Sequence, residues 1–378
     1  MIYGTNRRTV LLKYVIKLAI NRNTVDRAFP KHITFVRMIK NINRYTIIGL
    51  CIVLLASCNS NRLKIDVSNI TIPTVKVERL EKDMFSMPAD SIYQCSPRLE
   101  KKYGKFYARF VIDIVFGGGG VMDSSYAASL RRFITDNDLR HVYDTCERIY
   151  PDLKFLEAGL TDAFKHFKYY FPDRPLPKVI TAISGFNNEL AYFDSTLEIS
   201  LDWYMGTKSP YYIMLRWPDY KVMHLSKDYM LSDAIYGWLQ SIFKPNEEKN
   251  DMLSAIIHEG KIRYLEDALL PDVNDTIKMW YTKNQMAYCK EYEFNVWAKM
   301  VEKNLLYSTD QTSITKYTED GPFIAEISHE CPSRIGNWYG WQIVRSYMAK
   351  NSKVTLAQLM DETDADKILR KSGYKPKK

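Results

Sequence analysis

Apolar residues recur at helical spacing between Leu130 and Phe171, where Leu153, Leu156, Leu160, Phe164 and Phe167 share one stripe and Pro172 closes the run. Upstream, Glu78 to Met87 and Leu99 to Phe116 mix apolar and aromatic residues with charged ones in the same period, and both read as helices. Gly117 to Gly120 then interrupts the pattern as a loop, and no Lys-Ser/Thr follows to make it a phosphate cradle. The period changes to that of strands over Val179–Ser184, Leu190–Phe193 and Leu197–Leu201, which are separated by Gly185-Phe186-Asn187-Asn188 and by Asp194-Ser195. A small antiparallel meander is the expectation. From Tyr220 the helical period returns and persists almost to Lys371. The pattern therefore predicts an α+β fold, mostly helical with one small antiparallel sheet, in a single domain over 75–378 without internal repeats.

The amino-terminal stretch has a different grammar. From Met38 the chain reads MIKNINRYTIIGLCIVLLASC, a short basic region, an apolar run from Ile47 to Ala56, and small residues before a cysteine. That run is about half the ~20 residues a membrane-spanning helix needs. Residues 38–57 read as a lipoprotein signal peptide, with Leu55-Ala56-Ser57-Cys58 as its lipobox and Cys58 as the acylated first residue of the mature chain. Residues 1–37 read as a misassigned start, with Met38 as the initiator, or as an extension, and residues 58–74 form a polar tether.

Charge changes meaning once this segment is set apart. The full chain of 378 residues carries a formal +9, but ten of its 53 bases and one of its 44 acids fall in residues 1–57, which leaves 43 of each. A neutral body offers no basic surface for phosphate, so no nucleic-acid partner is expected. Four cysteines remain beyond Cys58, at 95, 146, 289 and 331, without a CxxC pair; up to two disulfides or free buried thiols both fit.

One motif carries candidate chemistry. His258-Glu259 lies in the helical stretch after the strands, and a zinc peptidase helix would place a second histidine four residues on, with the glutamate activating a bound water. Position 262 is isoleucine, which has no lone pair to donate. On a helix His258 shares a stripe with Ile262, Leu265 and Leu269, while Glu259, Arg263 and Glu266 form a charged stripe. The expectation is a core histidine beside a solvated ion-pair face. No Gly-x-Ser-x-Gly elbow surrounds Ser184, and His141, His166, His224 and His329 show no partner spacing.

The tracts YYFPDRPLPKVITAISGFNNE, LDWYMG, HEGKIRYLEDALLPD, the Glu293-to-Trp297 helix ending in NLLYSTD, and EISHECPSRIGNWYGWQIVRSYM stand in fixed order. Together with the lipoprotein signal they resemble the gliding-motility lipoprotein GldB family of Bacteroidota, over roughly residues 75–351. The resemblance implies a cell-envelope lipoprotein associated with the gliding apparatus. The family is in turn similar to zincin-like peptidases: His258-Glu259 matches the first half of their HExxH, and Glu293 lies where a distal glutamate ligand falls. Ile262 departs from that pattern. The expected function is therefore a non-enzymatic scaffold or assembly component, without zinc, held on membrane lipid by acylated Cys58 and in contact with envelope or gliding-machinery proteins. The alternative is a membrane-tethered metallopeptidase with an atypical ligand set of His258, Glu293 and a third residue, and Glu259 as base. The residues after Cys58, Asn-Ser-Asn-Arg-Leu-Lys, lack the acidic tract that resembles a surface-export signal, which favours a periplasm-facing position.

Overall fold

In the computed structural model, which describes residues 62–246 and 248–377, strands β1 (Val77–Arg79), β2 (Lys178–Ala182), β3 (Leu190–Phe193) and β4 (Thr196–Ser200) form one sheet in the order β1-β2-β4-β3. The sheet is mixed, which corrects the antiparallel meander. Only β3 and β4 run antiparallel, whereas β2 pairs in parallel with β1 and with β4, Val179 opposite Val77 and Leu197. Burial explains the order. Every residue of β4 is buried, so it takes an inner position, and the half-exposed β3 is left at the edge. The hairpin between them turns on Asp194 and Ser195, both with φ above zero, which matches the two-residue turn that the right-handed twist of a hairpin favours. Strand β1 itself was hidden inside the stretch expected to be helical from Glu78.

Helices α1 (Leu80–Phe85), α2 (Ile92–Tyr103), α3 (Lys105–Asp113), α4 (Ser124–Thr135), α5 (Asn137–Ile149) and α6 (Lys154–Tyr170) lie between β1 and β2. After β4 come α7 (Pro210–Met214), α8 (Asp219–Val222), α9 (Lys227–Ile242), α10 (Met252–Leu269), α11 (Asp275–Met279) and α12 (Lys283–Glu291). The chain ends with α13 (Glu293–Glu302), α14 (Gln311–Thr318), α15 (Ile335–Lys350), α16 (Leu356–Asp361) and α17 (Ala365–Ser372). The run expected as one helix over Leu99–Phe116 is split at Gly104, whose φ of +63° suits glycine and ends α2. Asp251 starts α10 by accepting the Ser254 amide at 2.7 Å, which leaves one fewer unpaired donor at that end.

Two of these helices form the axis of the molecule. Where α10 crosses α15, Gly260 faces Gly340, and a Cβ built on Gly340 would lie 1.6 Å from the carbonyl oxygen of Ile256. Only hydrogen at that point allows the backbones to touch. The segment that leads into the domain also rests on this end of the fold: Arg62 donates to the carbonyls of Met348 at 2.7 Å and Val354 at 3.1 Å, and Leu63 is buried. Among the described residues no helix is long and apolar enough to cross a membrane. Cys95, Cys146, Cys289 and Cys331 are all free thiols, and the last three are buried.

Candidate functional site

A cleft of about 550 Å³ opens between edge strand β3 and helices α9 and α10, and a second of about 530 Å³ adjoins it, with His258 and Lys244 lining both. His258 is half-buried and has no hydrogen-bond partner among the described residues. Burial, with Lys261 and Lys244 nearby, pushes its imidazole down to about 4, so the ring is neutral at pH 7, resists protonation, and can accept a hydrogen bond.

The glutamate beside it is engaged elsewhere. Glu259 Oε1 accepts from the Tyr236 hydroxyl at 2.6 Å, and Oε2 from Gln240 Nε2 at 3.1 Å. Arg263 Nε lies 3.3 Å from Glu259 Oε1 as an ion pair without hydrogen-bond alignment. Arg263 Nη1 donates to Glu266 Oε2 at 2.9 Å, Ser232 Oγ donates to Glu266 Oε1 at 2.5 Å, and the guanidinium sits 3.5 Å over the Tyr236 ring. Glu259, Arg263 and Glu266 are buried, at 7%, 1% and 0% exposure. The solvated ion-pair face and the core histidine have exchanged places. Helix α10 is enclosed on nearly every side, so the charged stripe points into the protein and the histidine into the cleft. Burial at this depth is tolerated because each charge meets an opposite charge or a donor.

The remaining candidate ligands do not gather. Ile262, where a second histidine ligand would stand, is fully buried. Glu293 opens α13, where its carboxylate accepts from the Tyr374 hydroxyl at 2.5 Å and its carbonyl from Tyr339 at 2.7 Å. Among the described residues no three His, Cys, Asp or Glu side chains are placed to hold a metal ion, and on α10 His258 stands with Glu259, Glu266 and Asp267, three buried carboxylates that already accept from other side chains. The residues present do not fit a catalytic zinc. Ser184 holds the turn before β3 together, since its hydroxyl donates to the Asn188 carbonyl at 2.9 Å and its amide donates to buried Asp202 at 3.2 Å. Cys58 lies outside the described residues.

The cleft also holds a feature that pattern reading missed. Glu189, just before β3, and Asp233, on α9, are bridged by the Tyr204 hydroxyl, at 2.7 and 3.2 Å, and Trp280 Nε1 donates to Asp233 at 2.5 Å. Burial raises both carboxyls above their ordinary range, and the neighbouring Glu189 charge adds to the cost of ionising Asp233. His224 stacks on the Trp280 ring at 5.0 Å, and burial pushes it down to about 3. These groups come from four separate stretches of chain. The one sequence signal was Asp233 itself, an acid among the apolar positions Met230, Ala234, Ile235 and Trp238.

Fold and cleft thus define a mostly helical α+β body in which helix α10 turns one histidine into the cleft. Residues 60–376 match the family described as gliding motility protein GldB, a lipoprotein-type family, and the chain belongs to that family. It is a gliding-motility-associated protein. No curated protein and no solved structure matches the chain.

Proposed function

We propose that the chain is a lipid-anchored envelope component of the gliding machinery that acts by binding a partner and not by hydrolysis. Acylated Cys58 holds it on the membrane, facing the periplasm, and the body recruits or positions machinery proteins without zinc. The observation that carries the non-enzymatic reading is the commitment of Glu259: its two carboxylate oxygens accept from Tyr236 and Gln240 and its charge pairs with Arg263, with Ile262 where a second metal ligand would be required. A general base needs a free lone pair directed at a water.

Complementation tests this. In a deletion strain, Glu259→Gln keeps an oxygen for the Tyr236 hydroxyl and removes the base, whereas Cys58→Ala removes the acyl attachment. Glu259→Gln at wild-type protein level restores the envelope or motility phenotype, and Cys58→Ala does not. Because Glu259 is buried, the level must be measured, since the lost ion pair costs about 1–3 kcal/mol of stability. A Glu259→Gln protein present at normal level and still inactive, or a stoichiometric zinc in the purified wild-type chain, would replace this reading with the metallopeptidase.

A further inference from the structure

Ile213, Met214 and Leu215 are consecutive and exposed, at 75%, 72% and 42%. Single exposed apolar side chains are ordinary, but three adjacent ones on a projecting turn are not. The turn is rigid. Helix α7 ends with the Trp217 amide donating to the Tyr212 carbonyl and the Arg216 amide to the Ile213 carbonyl, both at 3.0 Å, the paired closure of a Schellman motif. The Trp217 ring stacks on Tyr212 at 5.4 Å, Tyr212 is buried, and its hydroxyl donates to the Asp202 carbonyl at 3.1 Å. Arg216 holds φ +53°, a position that glycine would take with less strain. The apolar triplet is therefore presented by a fixed base and cannot fold back onto the core.

The surroundings of the triplet have a definite chemistry. Tyr211, Trp217 and Tyr220 are half-buried around it, amphipathic rings of the kind that settle at the headgroup level of a bilayer. Residues 208–221 contain Lys208, Arg216 and Lys221 against a single acid, Asp219. Lys221 Nζ lies 3.9 Å from the centre of the Trp217 ring, so one cation is held at the level of the collar. An exposed apolar triplet flanked by half-buried aromatic rings and by basic side chains complements acyl chains, interface and phosphate.

We propose that the 208–221 turn is a bilayer-docking tip, in which Ile213, Met214 and Leu215 enter the acyl region of an anionic membrane while Lys208, Arg216 and Lys221 meet lipid phosphates. This goes beyond anchoring. An acyl chain fixes a protein at one point and leaves it free to swivel, whereas a second, rigid contact sets which face the body turns to its partners.

The test uses the chain from Asn59 to Lys378, which contains the whole compact unit beginning at Arg62 and lacks the acylated cysteine. It is sedimented with vesicles of phosphatidylcholine alone or mixed with phosphatidylglycerol. The wild type sediments with the mixed vesicles. Ile213→Asp/Met214→Asp weakens that binding about tenfold or more, with an unchanged melting temperature because both side chains face solvent. Arg216→Gln weakens it by roughly fivefold, on the mixed vesicles only. The proposal is overturned if the wild type stays in the supernatant, as it would if the tip docks protein. It is equally overturned if the double variant sediments like the wild type, including the case where Phe116→Asp, on the other exposed apolar loop, is the change that abolishes binding. Neither result touches the Cys58 anchor, which the truncated chain does not contain.

Discussion

Helices α6 and α10, of 17 and 18 residues, both cross the core, yet their charges meet opposite fates. In α6, Leu156, Leu160, Phe164 and Phe167 point inward and Asp162 stands 65% exposed, as an amphipathic helix requires. In α10, 15 of 18 residues are buried, and five of those are charged: Glu259, Lys261, Arg263, Glu266 and Asp267. Each has a partner. Asp267 accepts from Trp341 Nε1, Arg345 Nε and Lys278 Nζ, all at 2.9 Å, and Lys261 donates to the carbonyls of Met360 at 2.9 Å and Glu362 at 2.8 Å. Where a helix lies relative to its neighbours, and not its own composition, decides whether a charged residue is wet. Networks of this kind contribute little net stability over an apolar core but penalise any arrangement that leaves a charge alone.

The largest effect should come from the point that brings α10 and α15 into contact. Gly340→Val puts branched carbon where the Ile256 carbonyl oxygen already stands, 1.6 Å from an ideal Cβ, and both walls are helix backbone that cannot yield. We expect a loss above about 4 kcal/mol, read as failure to accumulate folded protein. Gly159→Ala on α6 is the matched control. Its Cβ would meet Leu231 Cδ2 at 2.5 Å, the far end of a side chain that can turn away, so the protein should still fold. Equal damage from both would mean that the axis is no more demanding than the amphipathic helix.

Next in size is the ionic network. Arg263→Ala strands Glu259 and Glu266 in the interior, and chemical denaturation should show a loss of about 3–5 kcal/mol. The i, i+4 pair Arg109–Asp113 on α3 places the same two kinds of charge on the surface, at 58% and 42% exposure. Arg109→Ala should cost no more than about 0.5 kcal/mol. If the two losses are similar, the burial of Arg263 carries no penalty and the contrast between wet and dry charges fails.

What could be read from sequence follows the same line. The helical stretch ending at Pro172 was legible because it has a dry face and a wet face, and the strand segments because β-branched and aromatic runs are bounded by turn residues, which together also gave the α+β class. On α10 there is no wet face to record. Glu259, Arg263 and Glu266 fall at spacings that an exposed ion-pair ladder would also use, and nothing local distinguishes the two. Strand order was similarly out of reach, since placing β4 beside β2 depends on which strand the helices leave uncovered. The two-residue hairpin turn at Asp194-Ser195 was visible, but the partner on the far side of β4 was not. Ile262 was legible because one residue type excludes one chemistry. The Glu189–Asp233 pair was not, because its members are 44 positions apart and only the fold brings them together.

A buried acid in β4 extends the comparison from a helix to the sheet, and pH exposes it. Glu198 in β4 is fully buried beside Ser200, whose hydroxyl donates to it at 2.6 Å, and Asn188, whose Nδ2 donates at 2.8 Å, with no cation in contact among the described residues. Burial pushes its carboxyl up to about 8 from an ordinary 4.5. The folded state therefore holds this proton more tightly than the unfolded chain does. The stabilisation is complete below pH 4.5 and is lost as pH rises towards 8, because only the unfolded chain is then free to ionise. His258, lowered to about 4, works in the other direction, losing stability as pH falls below its unfolded value of 6.5. The wild-type profile alone would mix the two, so the measurement is a difference: urea midpoints of wild type and Glu198→Gln at pH 5, 6.5 and 8. Gln is neutral throughout and still accepts from Ser200. The variant should fall behind at pH 5 by about 1 kcal/mol or less and gain on the wild type by a few kcal/mol by pH 8, each pH unit of the interval being worth up to about 1.4 kcal/mol. Parallel profiles would mean that Glu198 stays ionised when folded, and that the sheet, like α10, supplies its buried charge with enough partners to keep it.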